Sequence, residues 1–84
     1  MATIDRDGPC RIVINSNEGA EPPHVHVICP DGHLKVWLNP LMREYCVGLP
    51  LHRCRELLRL VETRRLRYLA EWTRLHGSPY PTRS

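Results

Sequence analysis

Apolar and polar residues alternate through three stretches of the first half of the chain, and after Leu51 the spacing turns helical. CRIVINS (10–16) is rich in β-branched side chains, which suit a pleated, half-buried surface. HVHVIC (24–29) and HLKVWLNP (33–40) read the same way, joined by a Pro30-Asp31-Gly32 turn, and Pro40 stops the third stretch. Between the first two lies NEGAEPP (17–23), a loop by its Asn, Gly and two prolines. LMREYCVG (41–48) fits either a short fourth strand or a loop, and residues 1–9 show no clear period.

From Leu51 onward, steps of 100° gather Leu51, Cys54, Leu57, Leu58, Val61, Tyr68, Leu69, Trp72 and Leu75 on about one third of the circumference. Arg53, Glu56, Arg64, Arg67, Glu71 and Arg74 fall on the far side. Pro50 suits a helix start and Gly77 a helix stop. Arg65 interrupts the apolar stripe, so one long helix is expected first, and two shorter ones broken near Thr63–Arg65 second. The fold class that follows is α+β: an antiparallel sheet of three to four strands with a long C-terminal helix packed on one face.

Strand parity then divides the sheet into two faces. Ile12, Ile14, Val25, Val27, Cys29, Leu34, Val36 and Leu38 form an apolar face for the helix. Arg11, Val13, Asn15, His24, His26, Ile28, His33, Lys35, Trp37 and Asn39 form the other, which a single helix cannot also cover. Polar residues are ordinary on an outer sheet face. Trp37 beside basic groups is less so, and it suits a protein interface or, second to that, base stacking. Arg11, Lys35 and Trp37 are the expected binding surface.

His24 and His26 are two apart on a strand, so both imidazoles project to one side. Three readings stay open. They are hydrogen-bonded strand residues; or, with His33 brought over by a hairpin, they ligate one divalent transition metal ion; or they act as catalytic acid and base in metal-free RNA cleavage, with Lys35 or Arg11 stabilising the developing charge. A cofactor is otherwise not expected, and whether the chain is an enzyme stays undecided.

Size and charge narrow the context. At 84 residues the chain is one domain, with an ordered core over about 4–77 and a disordered tail over about 78–84. So small a domain buries only about 60–65% of its unfolded surface, so an open apolar face invites a partner. The formal net charge of +3 is too mild to demand nucleic acid, although RNA remains an alternative partner. No apolar run approaches the ~20 residues of a membrane span and no signal pattern opens the chain, so a cytoplasmic location is expected. Cys10, Cys29, Cys46 and Cys54 show no C-x-x-C or zinc-ribbon spacing and are expected as buried thiols rather than a disulfide framework.

The succession RIVINSNE, EPPHVHV, LKVWLNP, YCVGLP and a helix ending LAEWTRLHG resembles the small bacterial family called domain of unknown function 4160. The resemblance runs from about Ile4 to Gly77, and its most specific part is PPHVHV. Pro22, Pro23, His24, His26 and Trp72 occupy the motif positions. It implies a short cytoplasmic protein encoded beside another small domain, and a toxin–antitoxin-like role in which the partner is the neighbouring gene's product or a second copy. The helix segment ETRRLRYLAEW is more basic than the resemblance implies.

Overall fold

The structure is a computed structural model that describes residues 1–15 and 20–76. The expected loop at 17–19, the stop at Gly77 and the tail at 78–84 lie outside the described residues. Five strands, β1 (Ala2–Asp7), β2 (Cys10–Ile14), β3 (His24–Cys29), β4 (Gly32–Leu38) and β5 (Leu41–Val47), form one antiparallel sheet in sequence order. Two helices follow, α1 (Leu51–Thr63) and α2 (Arg65–His76). This overturns both parts of the expected fold, the three to four strands and the single long helix.

Each difference has a local cause. The first strand, ATIDRD, escapes hydrophobic periodicity because its helix-facing side carries charge. Asp5 lies opposite Ile12 and Asp7 opposite Cys10, and both aspartates meet arginines from the helices. Gly8, at φ 58°, supplies the left-handed residue that lets β1 fold back into β2 within two residues. The fifth strand hides its alternation behind a bulge. Lys35 faces Tyr45 while Val36 faces Arg43, which leaves Glu44 as the extra residue. A cis Asn39–Pro40 bond forms the two-residue turn into it.

The helical stripe divides at Arg64. Its φ of −104° and ψ of 17° end α1, its N–H still bonds Leu60 O, and its own carbonyl accepts from Tyr68 N–H. Pro50 stands one position before α1, in extended geometry, and its carbonyl accepts the N–H groups of Arg53 and Cys54. Arg65, the residue that breaks the apolar stripe, turns its guanidinium onto the strand end instead, donating to Leu38 O and to Asn39 Oδ1 at 3.2 Å.

The core is the expected apolar face, Ile12, Ile14, Val25, Val27, Leu34, Val36 and Leu38, closed by Leu57, Val61, Tyr68 and Trp72. Leu51, placed in the stripe from the sequence, is 57% exposed. The cysteines are a second correction. Cys10 is bonded to Cys29 across β2 and β3, and Cys46 to Cys54 from β5 to α1, so none is a free thiol. Register brings the first pair together, since Arg11 faces Ile28 and the next pair along is Cys10 and Cys29. At the same end of the sheet, Gly32 backs onto Val47–Leu49. A Cβ there would meet Val47 O and Leu49 Cγ at 2.5 Å. Among the described residues, no helix is long and apolar enough to cross a membrane.

Candidate functional site

The second face of the sheet carries the expected residues in rows set by register. Val13, His26, Lys35 and Tyr45 form one row; Arg11, Ile28, His33 and Val47 the next; His24, Trp37 and Met42 a third. Strand parity therefore places His24, His26, His33, Lys35, Trp37 and Arg11 together, as the sequence implies. It does not leave them equally open. His24 has no exposed surface and His26 is 6% exposed.

The burial of His24 comes from α2, which runs across the strand ends rather than only along the apolar face. Arg65 meets Leu38 O at the end of β4, Trp72 meets the His24 ring at the start of β3, and His76 meets Asn15 O beyond the end of β2. His24 is thus held between two tryptophans, with ring centroids 5.2 Å from Trp37 and 5.0 Å from Trp72. Its Nδ1 lies 2.9 Å from Pro22 O. A carbonyl only accepts, so Nδ1 carries the proton. Nε2 is 3.7 Å from Glu21 Oε1. The carbonyl of Pro22, one motif residue, thus holds the Nδ1 proton of the first motif histidine.

His26 Nδ1 and His33 Nε2 are 3.0 Å apart and share a hydrogen bond. In that bond one imidazole donates its N–H and the other offers a lone pair. The His33 ring meets Tyr45 edge-on at 5.3 Å. These contacts bear on the metal reading. The His24 nitrogens lie near Pro22 O and Glu21, while one nitrogen of His26 and one of His33 are bonded to each other. Among the described residues, no group of three or more His, Cys, Asp or Glu is placed to hold a metal ion.

The cations of this face are occupied. Lys35 Nζ lies 3.3 Å from Glu21 Oε2 and 4.5 Å from the centre of the Trp37 ring, an ion pair and a cation–π contact together. Arg11 Nη1 donates to Thr3 Oγ1 at 3.3 Å. Trp37 Nε1–H donates to Glu44, the bulge residue.

What remains accessible lies toward β5. Met42 is 55% exposed, Val47 56% and Tyr45 36%. Beside Met42, a recess of about 210 Å³ is lined by Pro22, Trp37, Asn39, Pro40 and Met42. Of these, only Trp37 was singled out from the sequence as part of a binding surface. Met42 and Tyr45 were hidden because the bulge places both on the outer face three positions apart, against the period of two.

A third cluster lies on the helix side. Tyr68 Oη donates to Asp5 Oδ2 at 2.6 Å, Arg64 Nη1 reaches the same oxygen at 2.6 Å, and Arg67 Nη2 is 3.5 Å from Oδ1. Burial alone would raise the Asp5 carboxyl, but the Tyr68 hydroxyl, the Arg6 amide and Arg64 outweigh it and hold its pKa below the ordinary value. Burial, and then the bond to Asp5, push the Tyr68 phenol up. The bond to Asp5 likewise raises the Arg64 guanidinium. With Arg53 on Asp7 at 3.2 Å, this cluster accounts for part of the basic character of the helices: their arginines answer the aspartates of β1.

The family model for a domain of unknown function (DUF4160) matches residues 10–73. No curated protein and no solved structure matches the chain.

Proposed function

The chain belongs to the domain of unknown function 4160 family, and from that premise we propose that it is an interaction module that binds a protein partner through the recess around Trp37. The observation that carries this reading is the recess itself. Four of its five lining residues, Pro22, Trp37, Pro40 and Met42, are apolar, and it has room for one large side chain. Tryptophan in such a setting is a favoured interface anchor. The occupant is a protein segment presenting an aromatic or aliphatic side chain, and the partner is the small protein encoded by the neighbouring gene, in a toxin–antitoxin-like pair.

RNA is the weaker reading, because Lys35 is neutralised by Glu21 and Arg11 is turned to Thr3. Proton transfer by His24 and His26 together is weaker still, because a substrate cannot touch the fully buried His24 imidazole and His26 is only 6% exposed.

The test is calorimetric titration of the neighbouring gene's purified product into this protein and into Trp37→Ala. Saturable binding that falls at least tenfold in the variant, with the thermal transition retained, supports the reading. Absence of binding, or equal binding by both proteins, overturns it, and binding of a single-stranded RNA oligomer instead would favour the alternative.

A further inference from the structure

We propose that the partner adds an extended, acidic segment to the free edge of β5, as a sixth strand lying beside α1. The inference rests on the reading of the chain as a protein-binding module, and it names the chemistry of the segment that module takes. β5 pairs only with β4, so among the described residues one side of its backbone has no strand neighbour. Such an edge is a template for a strand from another chain, in which main-chain bonds give affinity and alternate side chains give specificity.

The charge at the two edges of the sheet selects the occupant. At the β1 edge acids and bases match, since Asp5 and Asp7 meet Arg64, Arg67 and Arg53. The β5 edge has the bases without the acids. A groove of about 260 Å³ there is lined by Leu41, Arg55, Leu58, Arg59 and Glu62, and the Cys46–Cys54 bond holds α1 against the strand. Arg43, opposite Val36, shares the helix-facing side of β5 with Leu41, opposite Leu38. Arg43, Arg55 and Arg59 are all exposed, and among the described residues none of them is in an ion pair. Glu62 balances one of the three charges and leaves the groove basic. Glu44 does not contribute, because its carboxylate accepts from Trp37 on the other face.

A strand added here turns successive side chains to the helix side and to the outer face. Carboxylates at alternate positions suit Arg43, Arg55 and Arg59, as Asp5 and Asp7 suit the arginines at the opposite edge. The residues between them lie beside Met42, Tyr45 and Val47, exposed on the outer face of β5, and are apolar. Arg43 also discriminates. An inward charge on an edge strand disfavours an apolar neighbour, and a carboxylate opposite removes that cost. Met42 lines the Trp37 recess as well, so the segment on β5 and the anchor in the recess form one continuous interface.

The test is calorimetric titration of the neighbouring gene's purified product into wild type, R55E/R59E, R55K/R59K and Trp37→Ala. Hydrogen exchange of the β5 amides not bonded to β4 is followed by NMR in the wild-type complex. Binding is expected to weaken about tenfold or more in R55E/R59E, to persist in R55K/R59K and to fall as salt is raised. The β5 amides are expected to exchange more slowly at saturation. Circular dichroism checks the fold of each variant, and Arg43→Glu replaces R55E/R59E if that variant does not fold. Equal binding by wild type and R55E/R59E, or unchanged exchange along β5, overturns the added acidic strand, while a loss in Trp37→Ala alone leaves the recess reading standing. A loss in R55E/R59E alone overturns the recess reading and keeps the strand. Absence of binding by wild type overturns both.

Discussion

Tyr68 donates a hydrogen bond to Asp5 across 63 residues of sequence and so fastens α2 to the edge strand β1. A bond to a charged acceptor contributes about 1.5–3 kcal/mol. Tyr68→Phe keeps the ring and removes only the hydroxyl. The expected loss is of that size, with the melting temperature lowered by about 4–8 °C for each kcal/mol in a domain of this length. Denaturant melts of the two proteins measure it.

The same pair sets both limbs of the pH profile. The Asp5 carboxyl is lowered on folding, so its contribution is present above the ordinary value of 3.8 and is lost as pH falls through the folded value. The Tyr68 phenol is raised, so its contribution is present below the ordinary value of 10.0 and declines as pH rises above it, where the unfolded chain ionises first. Asp5→Asn is expected to flatten the acid limb and Tyr68→Phe the alkaline one. Thermal melts from acid to alkaline pH would show either limb unchanged if the pair were inconsequential.

His24 is a structural member of the fold as well as a motif residue. Removing a ring held between Trp37 and Trp72 costs about 2–4 kcal/mol, by analogy with other large-to-small core changes. His24→Ala should therefore shift the tryptophan fluorescence and the unfolding midpoint together. A variant as stable as wild type would show that the ring is dispensable to packing.

Two disulfides add to a core of limited size. Bridges in small domains contribute about 2–4 kcal/mol each. Reductant is expected to lower the denaturation midpoint, and the untreated chain should weigh four hydrogen atoms less than the reduced one. A free-thiol assay that titrates four cysteines in the folded, untreated protein would refute both bridges.

Gly32→Ala places a methyl group against Val47 O and Leu49 Cγ at 2.5 Å, so backbone must move. A loss of about 1–3 kcal/mol, typical of overpacking, is expected in the same melts.

The sequence carried β2, β3, β4 and the core face because those strands are apolar on the helix side, where alternation is visible. β1 was invisible for the opposite reason: its inward residues are aspartates, whose partners lie on helices far along the chain. β5 was blurred by the bulge at Glu44. Arg65 did mark the helix break, but its target, Leu38 O, could not be read from a linear pattern. Parity correctly grouped His24 with His26. It could not show that α2 turns across the strand end and closes over His24. The cysteine pairs needed strand register and the fold of α1 against β5, neither of which spacing along the chain contains.

The ion pairs of β1 reach across most of the chain. Asp5 is synthesised long before Arg64, Arg67 and Tyr68, yet its carboxylate is satisfied only when those residues arrive. A nascent chain that stops short of α2 has β1 and its partner strand β2 but lacks the Tyr68 and Arg67 partners of the Asp5 carboxylate. Completion of the C-terminal helix supplies those partners.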